Sequence, residues 1–156
     1  MDRELYKIVL GRASHICSRS EQCKSDMLAR IERWGVTDRD GQNQIIKELV
    51  DNGFIDETRY ARAYVSEKFR FNHWGRVKLK VMLRAKGIEN QVIDLALSEM
   101  DPDEYFGILK SELIKKKSSV KASNLFDLKG KLMRFAQGKG FETDLVFRAL
   151  SEITGN

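Results

Sequence analysis

One proline, two cysteines and two histidines are all that the 156 residues hold of those types, and each scarcity removes a class of protein. Cys17 and Cys23 are too few for the disulfide framework of a small secreted domain. Six residues apart on a predicted helix, they also point in different directions, since six steps of about 100° turn the helix by about 240°. With His15 they fall short of the three or four closely spaced ligands of a zinc site, and the other histidine, His73, is far along the chain, so no metal and no cofactor is expected. No segment approaches the roughly 20 apolar residues that span a bilayer, and the stretch from Met1 to Lys7 lacks the apolar run of a signal peptide. A cytoplasmic protein without membrane contact is expected. Glycine-rich phosphate loops, nucleophile elbows and paired histidine and carboxylate motifs are missing. The acids Asp38, Asp40, Asp101, Asp103 and Glu104 have ready roles as helix caps or exposed charges, so no enzyme is expected.

What is present favours helices. A hydrophobic fraction of 42% and a charged fraction of 33%, with little β-branched clustering, suit amphipathic helices better than strands. One pattern recurs three times, anchored on Gly35, Gly87 and Gly140. Each glycine is followed by an apolar residue (Val36, Ile88, Phe141) and preceded at minus 8 and minus 4 by Met27 and Ile31, Leu79 and Leu83, or Leu132 and Ala136. This predicts a helix stopped by a left-handed glycine, with the next apolar residue folding back on it. Ile93 and Leu97 follow Gly87 at plus 6 and plus 10, as Val146 and Leu150 follow Gly140. In the first copy the equivalents are Ile45 and Leu49, displaced by four residues through Thr37 to Gly41, which predicts a longer loop there whose acids favour the start of the following helix.

Another amphipathic segment precedes each glycine-stopped helix: about Glu4 to Ser18, Asp56 to Phe71 and Pro102 to Lys116. The expected fold is all-α, with three tandem three-helix repeats at 1–53, 54–100 and 101–156 stacked into an elongated, curved array, because a unit of about 50 residues buries little apolar area alone. Asn52 and Gly53 close the preceding helix and Phe54 with Ile55 is expected to pack at the junction. Pro102 suits a first helical turn capped by Asp101. Ser118, Ser119, Ala122 and Ser123 mark a turn.

The net charge of +5 conceals segregation. Lys68 to Ile88 carries seven bases (Lys68, Arg70, Arg76, Lys78, Lys80, Arg84, Lys86) and no acid; Glu89 to Glu104 carries six acids and no base. Such blocks suit binding of polyanions or acidic surfaces, or are only solvated helix faces. The stretch Asn72 to Arg76 is the most informative. Asn72 or His73 is expected to begin a helix on which Arg76, Lys80 and Arg84 form one stripe, flanked by Lys78, and Leu79, Met82 and Leu83 the buried one, leaving the cations free for a partner. Trp74 either anchors the core or stacks on a base or apolar patch. A second basic surface comprises Lys115, Lys116, Lys117 and Lys121, followed by Lys129, Lys131 and Arg134; lysines favouring the negative end of a helix dipole explain Lys115 to Lys117 equally well.

The segment Phe54 to Val65 (FIDETRYARAYV), continuing into Trp74, Gly75 and Arg76, then Leu79, Leu83, Lys86, Gly87, Ile88 and Ile93, resembles the RecX family of regulators of the RecA recombinase. The resemblance extends from about Glu4 to Ile153. Members often have a glycine before this tryptophan and a proline after the next glycine; here His73 and Arg76 stand there, and Arg76 adds a charge. The resemblance implies an elongated protein lying along the groove of the RecA filament on single-stranded DNA and bridging neighbouring subunits; the chain itself is expected to be a monomer. The resemblance further implies that recombinase, ATPase and SOS co-protease activities are limited, bearing on homologous recombination and DNA repair. Arg59 and Arg62 in the quoted motif join the two basic blocks as expected partner-binding residues. The competing readings are a stand-alone helical repeat that binds single-stranded or double-stranded DNA, and a structural adaptor that uses the aromatic faces around Tyr60, Tyr64, Phe69, Phe71 and Trp74.

Overall fold

Three aspartates start the three repeats. The side chains of Asp2, Asp56 and Asp101 accept backbone N–H bonds from Glu4 (3.1 Å), Thr58 (3.0 Å) and Glu104 (2.9 Å), satisfying donors that open a helix. In the computed structural model, which describes residues 2–155, they precede α1 (Arg3–Arg19), α4 (Glu57–Glu67) and α7 (Pro102–Lys117). Each first helix is followed by a second, α2 (Lys24–Arg33), α5 (Arg76–Ala85) or α8 (Leu125–Gly138), and a third, α3 (Arg39–Asp51), α6 (Asn90–Ser98) or α9 (Thr143–Thr154). The fold is all-α in three-helix repeats, with no strand among the described residues.

The second helix of every repeat ends as the periodicity predicts. Gly35, Gly87 and Gly140 have φ of 104°, 82° and 93°, where a side chain would be strained. Beyond each glycine, Val36, Ile88 and Phe141 donate to the carbonyls of Ile31, Leu83 and Ala136, five residues back, at 3.0, 3.2 and 3.1 Å. All three apolar residues are buried, as are the six residues at minus 8 and minus 4.

Three local expectations are corrected. The residues from Thr37 to Gly41 do not make a long loop: Asp38 accepts from the Gly41 N–H at 2.8 Å, and α3 begins at Arg39. Four of the added residues become one extra turn, leaving α3 with 13 residues where α6 has 9. Asn72 and His73 do not begin α5. Lys68–Asn72 instead continues α4 as a π-helical stretch, ended by His73 at φ 54°. Finally, Ile55 is buried at the junction after α3, but Phe54 is 36% exposed.

The described chain forms two compact units. Unit 1 contains residues 2–64 with Leu83–Ile93, and unit 2 contains Val65–Met82 with residues 94–155, so α4, α5 and α6 each belong partly to both. In unit 1, Val9, Ala13, Met27, Ile31, Ile45 and Leu49 form a core in which no side chain exceeds 1% exposure. In unit 2, Tyr105, Leu109, Leu113, Leu132 and Val146 are buried to the same degree. Val9 and Ala13, like Leu109 and Leu113, are four apart, one helical turn, so each pair lies on one face.

Tyr6, four residues after its capping aspartate, donates to the Glu48 carboxylate from α3. Burial first, and then this carboxylate, push its phenol up to about 12 from the usual 10.0. A raised folded-state value means that the folded form holds the proton more tightly, so this contribution is complete below the unfolded value and lost as pH rises through the folded one. The melting temperature should therefore fall between about pH 10 and 12, and less steeply in Tyr6→Phe. Equal slopes for the two proteins would show that Tyr6 is not the group responsible.

Candidate partner-binding surface

Each unit contains a joint at which the second helix of one repeat meets the glycine turn of the next. In unit 2 the joint is made by backbone: Gly75 N–H donates to the Lys139 carbonyl at 2.7 Å and Val77 N–H to the Gly140 carbonyl at 2.9 Å. These bonds draw the chains so close that a Cβ on Gly75 would stand 2.3 Å from the Gly140 oxygen, and one on Gly140 would stand 2.3 Å from Lys78 Cβ. In unit 1, Ser25 Oγ donates to the Lys86 carbonyl at 2.6 Å, at the corresponding turn. No Cβ clash arises at Gly87, where nothing lies within 4 Å.

A tyrosine four residues after the capping aspartate supports each joint. Tyr105 receives the Arg76 N–H at 2.8 Å and donates its own hydrogen to Glu142 at 2.5 Å. Burial first, and the Glu142 bond second, raise its phenol above the ordinary range. Tyr60, at the corresponding place in unit 1, is raised chiefly by burial. The D-x-x-x-Y spacing that sets up Tyr6, Tyr60 and Tyr105 is present in the sequence at all three repeat starts, a signal outside the apolar periodicity.

Arg76 belongs to the unit 2 joint and is not a free cation. Its guanidinium lies 3.8 Å from the Tyr105 ring centroid and pairs with Glu142 at 2.9 Å, with its side chain 26% exposed. Lys80, one turn along, pairs with Asp94 at 3.2 Å, and Arg84 is exposed in the other unit. The expected stripe of three unengaged cations is therefore replaced by one structural arginine, one surface pair and one exposed residue. Arg76→Glu would set a carboxylate against Glu142 in a half-buried place and should destabilise the protein by on the order of 2 kcal/mol. Chemical denaturation measures it; a change within about 0.5 kcal/mol, the range of ordinary surface substitutions, would remove Arg76 from the joint.

In unit 1, Arg59 pairs with Glu21 at 3.0 Å, lies 3.8 Å from Asp56 and donates to the Gly53 carbonyl at 2.8 Å. Lys86 pairs with Asp26 at 2.9 Å, and that hydrogen bond holds its ammonium above the usual range. Arg62 is exposed. These pairs are at the surface, where an ion pair is worth little and competes poorly with a stronger anion.

Unit 2 gathers the remaining residues of both basic blocks. Phe69, in the π-helical stretch, stacks on Tyr105 with centroids 5.7 Å apart, which fixes the stretch against the core. Its neighbour Lys68 then lies 5.4 Å from the Trp74 centroid, and Lys78 lies 4.4 Å from the same ring. Trp74 is half-buried, so it is neither a fully enclosed core anchor nor an open platform. A second ring, Phe135 of α8, is approached by Lys116 at 5.2 Å and Lys139 at 5.9 Å.

The two clusters are joined. Glu112 of α7 binds His73 Nδ1 and lies 3.7 Å from Lys139 Nζ, while Gly75 is bonded to the Lys139 carbonyl. Lys68 and Lys78 of the second repeat are thereby linked to Lys116 and Lys139 of the third, each with its ammonium within 5.9 Å of a ring centroid. Arg70, Lys115, Lys117 and Lys121 are exposed on the same unit. Lys139, Phe135 and Glu112 were not among the expected site residues. The one sequence signal for Lys139 is that it precedes its anchor glycine as Lys86 precedes Gly87.

Among the described residues no group of three or more His, Cys, Asp or Glu side chains is placed to hold a metal, and no helix is long and apolar enough to cross a membrane. Burial raises the Cys17 thiol, which suits a packing role better than nucleophilic chemistry.

Residues 56–97 match the family description "RecX, second three-helix domain" and residues 103–150 match "RecX, third three-helix domain", together more than half of the chain. The regulatory protein RecX of Clostridium acetobutylicum is 30% identical over 114 residues, covering 70% of this chain and 52% of that protein. That of Clostridium tetani is 29% identical over 147 residues, covering 85% of this chain and 67% of that one. The chain thus spans about half to two thirds of the length of these relatives. The crystal structure of RecX from Lactobacillus salivarius has the same fold, with a TM-score of 0.83 at 18% identity over 98% of this chain and 99% of that one. By its two matched domains, its relatives and its three-helix repeats, the chain belongs to the RecX family.

Proposed function

We propose that this protein is a non-enzymatic regulator that binds the RecA filament on single-stranded DNA and limits its recombinase, ATPase and co-protease activities, acting in the cytoplasm as a monomer. The regulatory part of the reading is supported by the relatives, which are named regulatory proteins. The observation that carries the rest is the joined surface of unit 2, where Lys68 and Lys78 sit on Trp74 and Lys116 and Lys139 on Phe135. Cations held on aromatic rings lose little side-chain entropy on binding, and they present charge to phosphate while leaving apolar edges for a protein or a base. The repeats at 1–53, 54–100 and 101–156 are the modules of this reading, with the second and third supplying most of the surface.

A specific observation also favours stand-alone binding of single-stranded nucleic acid: a tryptophan with two lysines on it suits base stacking beside a phosphate. Measuring binding to RecA, to single-stranded DNA and to their filament across a salt series separates the two readings. Stand-alone phosphate binding predicts DNA affinity falling with salt at a slope of about −0.7 per phosphate contacted on a single strand. The regulator reading predicts tighter binding to filament than to either component, and inhibition of DNA-dependent ATP hydrolysis at the concentrations that bind. Naked DNA binding as tightly as filament at every salt concentration would overturn it.

A further inference from the structure

The face of the third repeat formed by α8 and α9 carries features that the basic surface does not use. Phe126 is 89% exposed and Phe147 is 61% exposed, whereas Leu132, Ala136, Val146 and Ala149 of the same helices are at 1% or less. Between the two phenylalanines runs an open groove of about 320 Å³, floored by Gly130, Met133 and Leu150 and edged by Lys129. Gly130 is inside α8, where glycine is less stable than alanine. Its own surroundings give no reason for it. A Cβ there would meet only the Arg134 guanidinium at 3.5 Å, an ordinary contact, and its φ is not positive. The missing side chain has one geometric effect, which is to deepen the groove. Because Gly130 lines the groove, a bulky side chain there would narrow it.

The electrostatic setting selects the occupant. From Lys115 to Lys139 there are eight bases and one acid, Asp127, and Asp127 is already paired with Lys131 at 3.2 Å. We propose that this groove receives an amphipathic helix of a protein partner, with bulky apolar side chains at helical spacing inserted between Phe126 and Phe147 over Gly130 and carboxylates along its flank facing Lys129. Exposed aromatic side chains beside a half-buried methionine and a glycine are the chemistry by which helical grooves accept such anchors. Nucleic acid fits less well, because Lys129 and Ser151 are the polar side chains lining the groove, too few to address base edges. A second copy of this chain, docked symmetrically through the same face, would set Lys129 and its basic neighbours against themselves. The groove's lining is distinct from the Trp74 and Phe135 clusters, and Lys129 is the lining residue that it shares with the second basic block.

The test uses the full chain and two synthetic fluorescent peptides of about 16 residues, long enough to form a helix on a surface. Both carry leucine and phenylalanine at i, i+4 and i+7; one has glutamate on the flanks and its twin has lysine. The glutamate peptide should bind at least tenfold more tightly than its twin. Gly130→Leu should weaken that binding at least tenfold while leaving the melting temperature equal or higher, since leucine is the better helix former and its Cβ makes only an ordinary contact with Arg134. Phe147→Ala should weaken binding in the same way, and Trp74→Ala should leave it unchanged. Absence of binding, equal binding of the twins, or full binding by Gly130→Leu overturns the proposal. So does displacement of the peptide by oligothymidine, which would assign the groove to nucleic acid. Sedimentation showing self-association that Gly130→Leu abolishes would assign it to a second copy.

Discussion

Gly140→Ala is expected to destabilise the protein by roughly 3 to 5 kcal/mol, lowering its melting temperature by on the order of 10 °C. Two penalties coincide at this position. The backbone is left-handed at φ 93°, which is unfavourable by about 1–2 kcal/mol for any residue with a Cβ. The added carbon would also lie 2.3 Å from Lys78 Cβ and 2.6 Å from Lys78 N. Both atoms are fixed by the backbone of α5, so no rotamer change relieves the overlap. The joint must open, and the Val77 to Gly140 hydrogen bond with it. Two companions separate the penalties. Gly87→Ala has the same backbone strain, at φ 82°, but nothing within 4 Å, and should lose only about 1–2 kcal/mol. Gly75 lacks a positive φ but would meet Gly140 oxygen at 2.3 Å, so Gly75→Ala isolates the steric part. Equal losses at Gly140 and Gly87 by denaturant titration would mean that the close approach contributes nothing.

Reversing Lys78, Lys116 and Lys117 to glutamate should weaken binding to the RecA filament at least a hundredfold, about 2.7 kcal/mol, while leaving the helical content intact. Lys78 and Lys116 touch the rings of the two joined clusters, and Lys117 is exposed beside Lys116. None of the three has an ion-pair partner among the described residues, so reversal breaks no internal pair, unlike reversal of Arg76. At the partner, each lost attraction becomes a repulsion, which is why the expected change is large. Reversing Arg30, Arg33 and Arg39 of the first repeat controls for net charge, because it removes the same number of cations from outside the joined surface. If both triple variants inhibit RecA's ATP hydrolysis to the same extent and remain folded, the surface is only solvated, and the assignment of these lysines is wrong.

How far the sequence could be read follows from which forces leave a local trace. A left-handed glycine with apolar residues at minus 8, minus 4 and plus 1 is a local geometric requirement, so Gly35, Gly87 and Gly140 announced all three turns. The four-residue displacement at Thr37 to Gly41 predicts a longer loop, but displacement alone does not say whether added residues enter a loop or a helix; capped by Asp38, they lengthen α3. The π-helical stretch left no periodic signal, since its stability comes from Phe69 stacking on Tyr105, distant in sequence. The candidate site divided in the same way. Block charge identified the basic segments, and the i, i+4 spacing found the face carrying Arg76. Neither could show that Glu142 and Tyr105 already hold Arg76, or that Lys139 completes the surface beside Trp74, because tertiary contact alone decides those.

The division of α4, α5 and α6 between two compact units has a consequence for any dissection of the molecule. Repeat boundaries are where the chain's pattern restarts, but they are not where its cohesion is weakest. A cut after residue 100 would leave Gly75 and Val77 without the carbonyls of Lys139 and Gly140 and would bare Phe69, while a cut before residue 54 would strip Arg59 of Glu21 and Lys86 of Asp26. Single repeats excised at their sequence borders would therefore carry raw faces and behave as sticky fragments, and loss of function in such fragments would say nothing about which repeat meets the partner. Amide exchange should instead melt the protein in two cooperative blocks whose frontier runs through the middle repeat, so point substitutions, not truncations, are the means of assigning its surfaces.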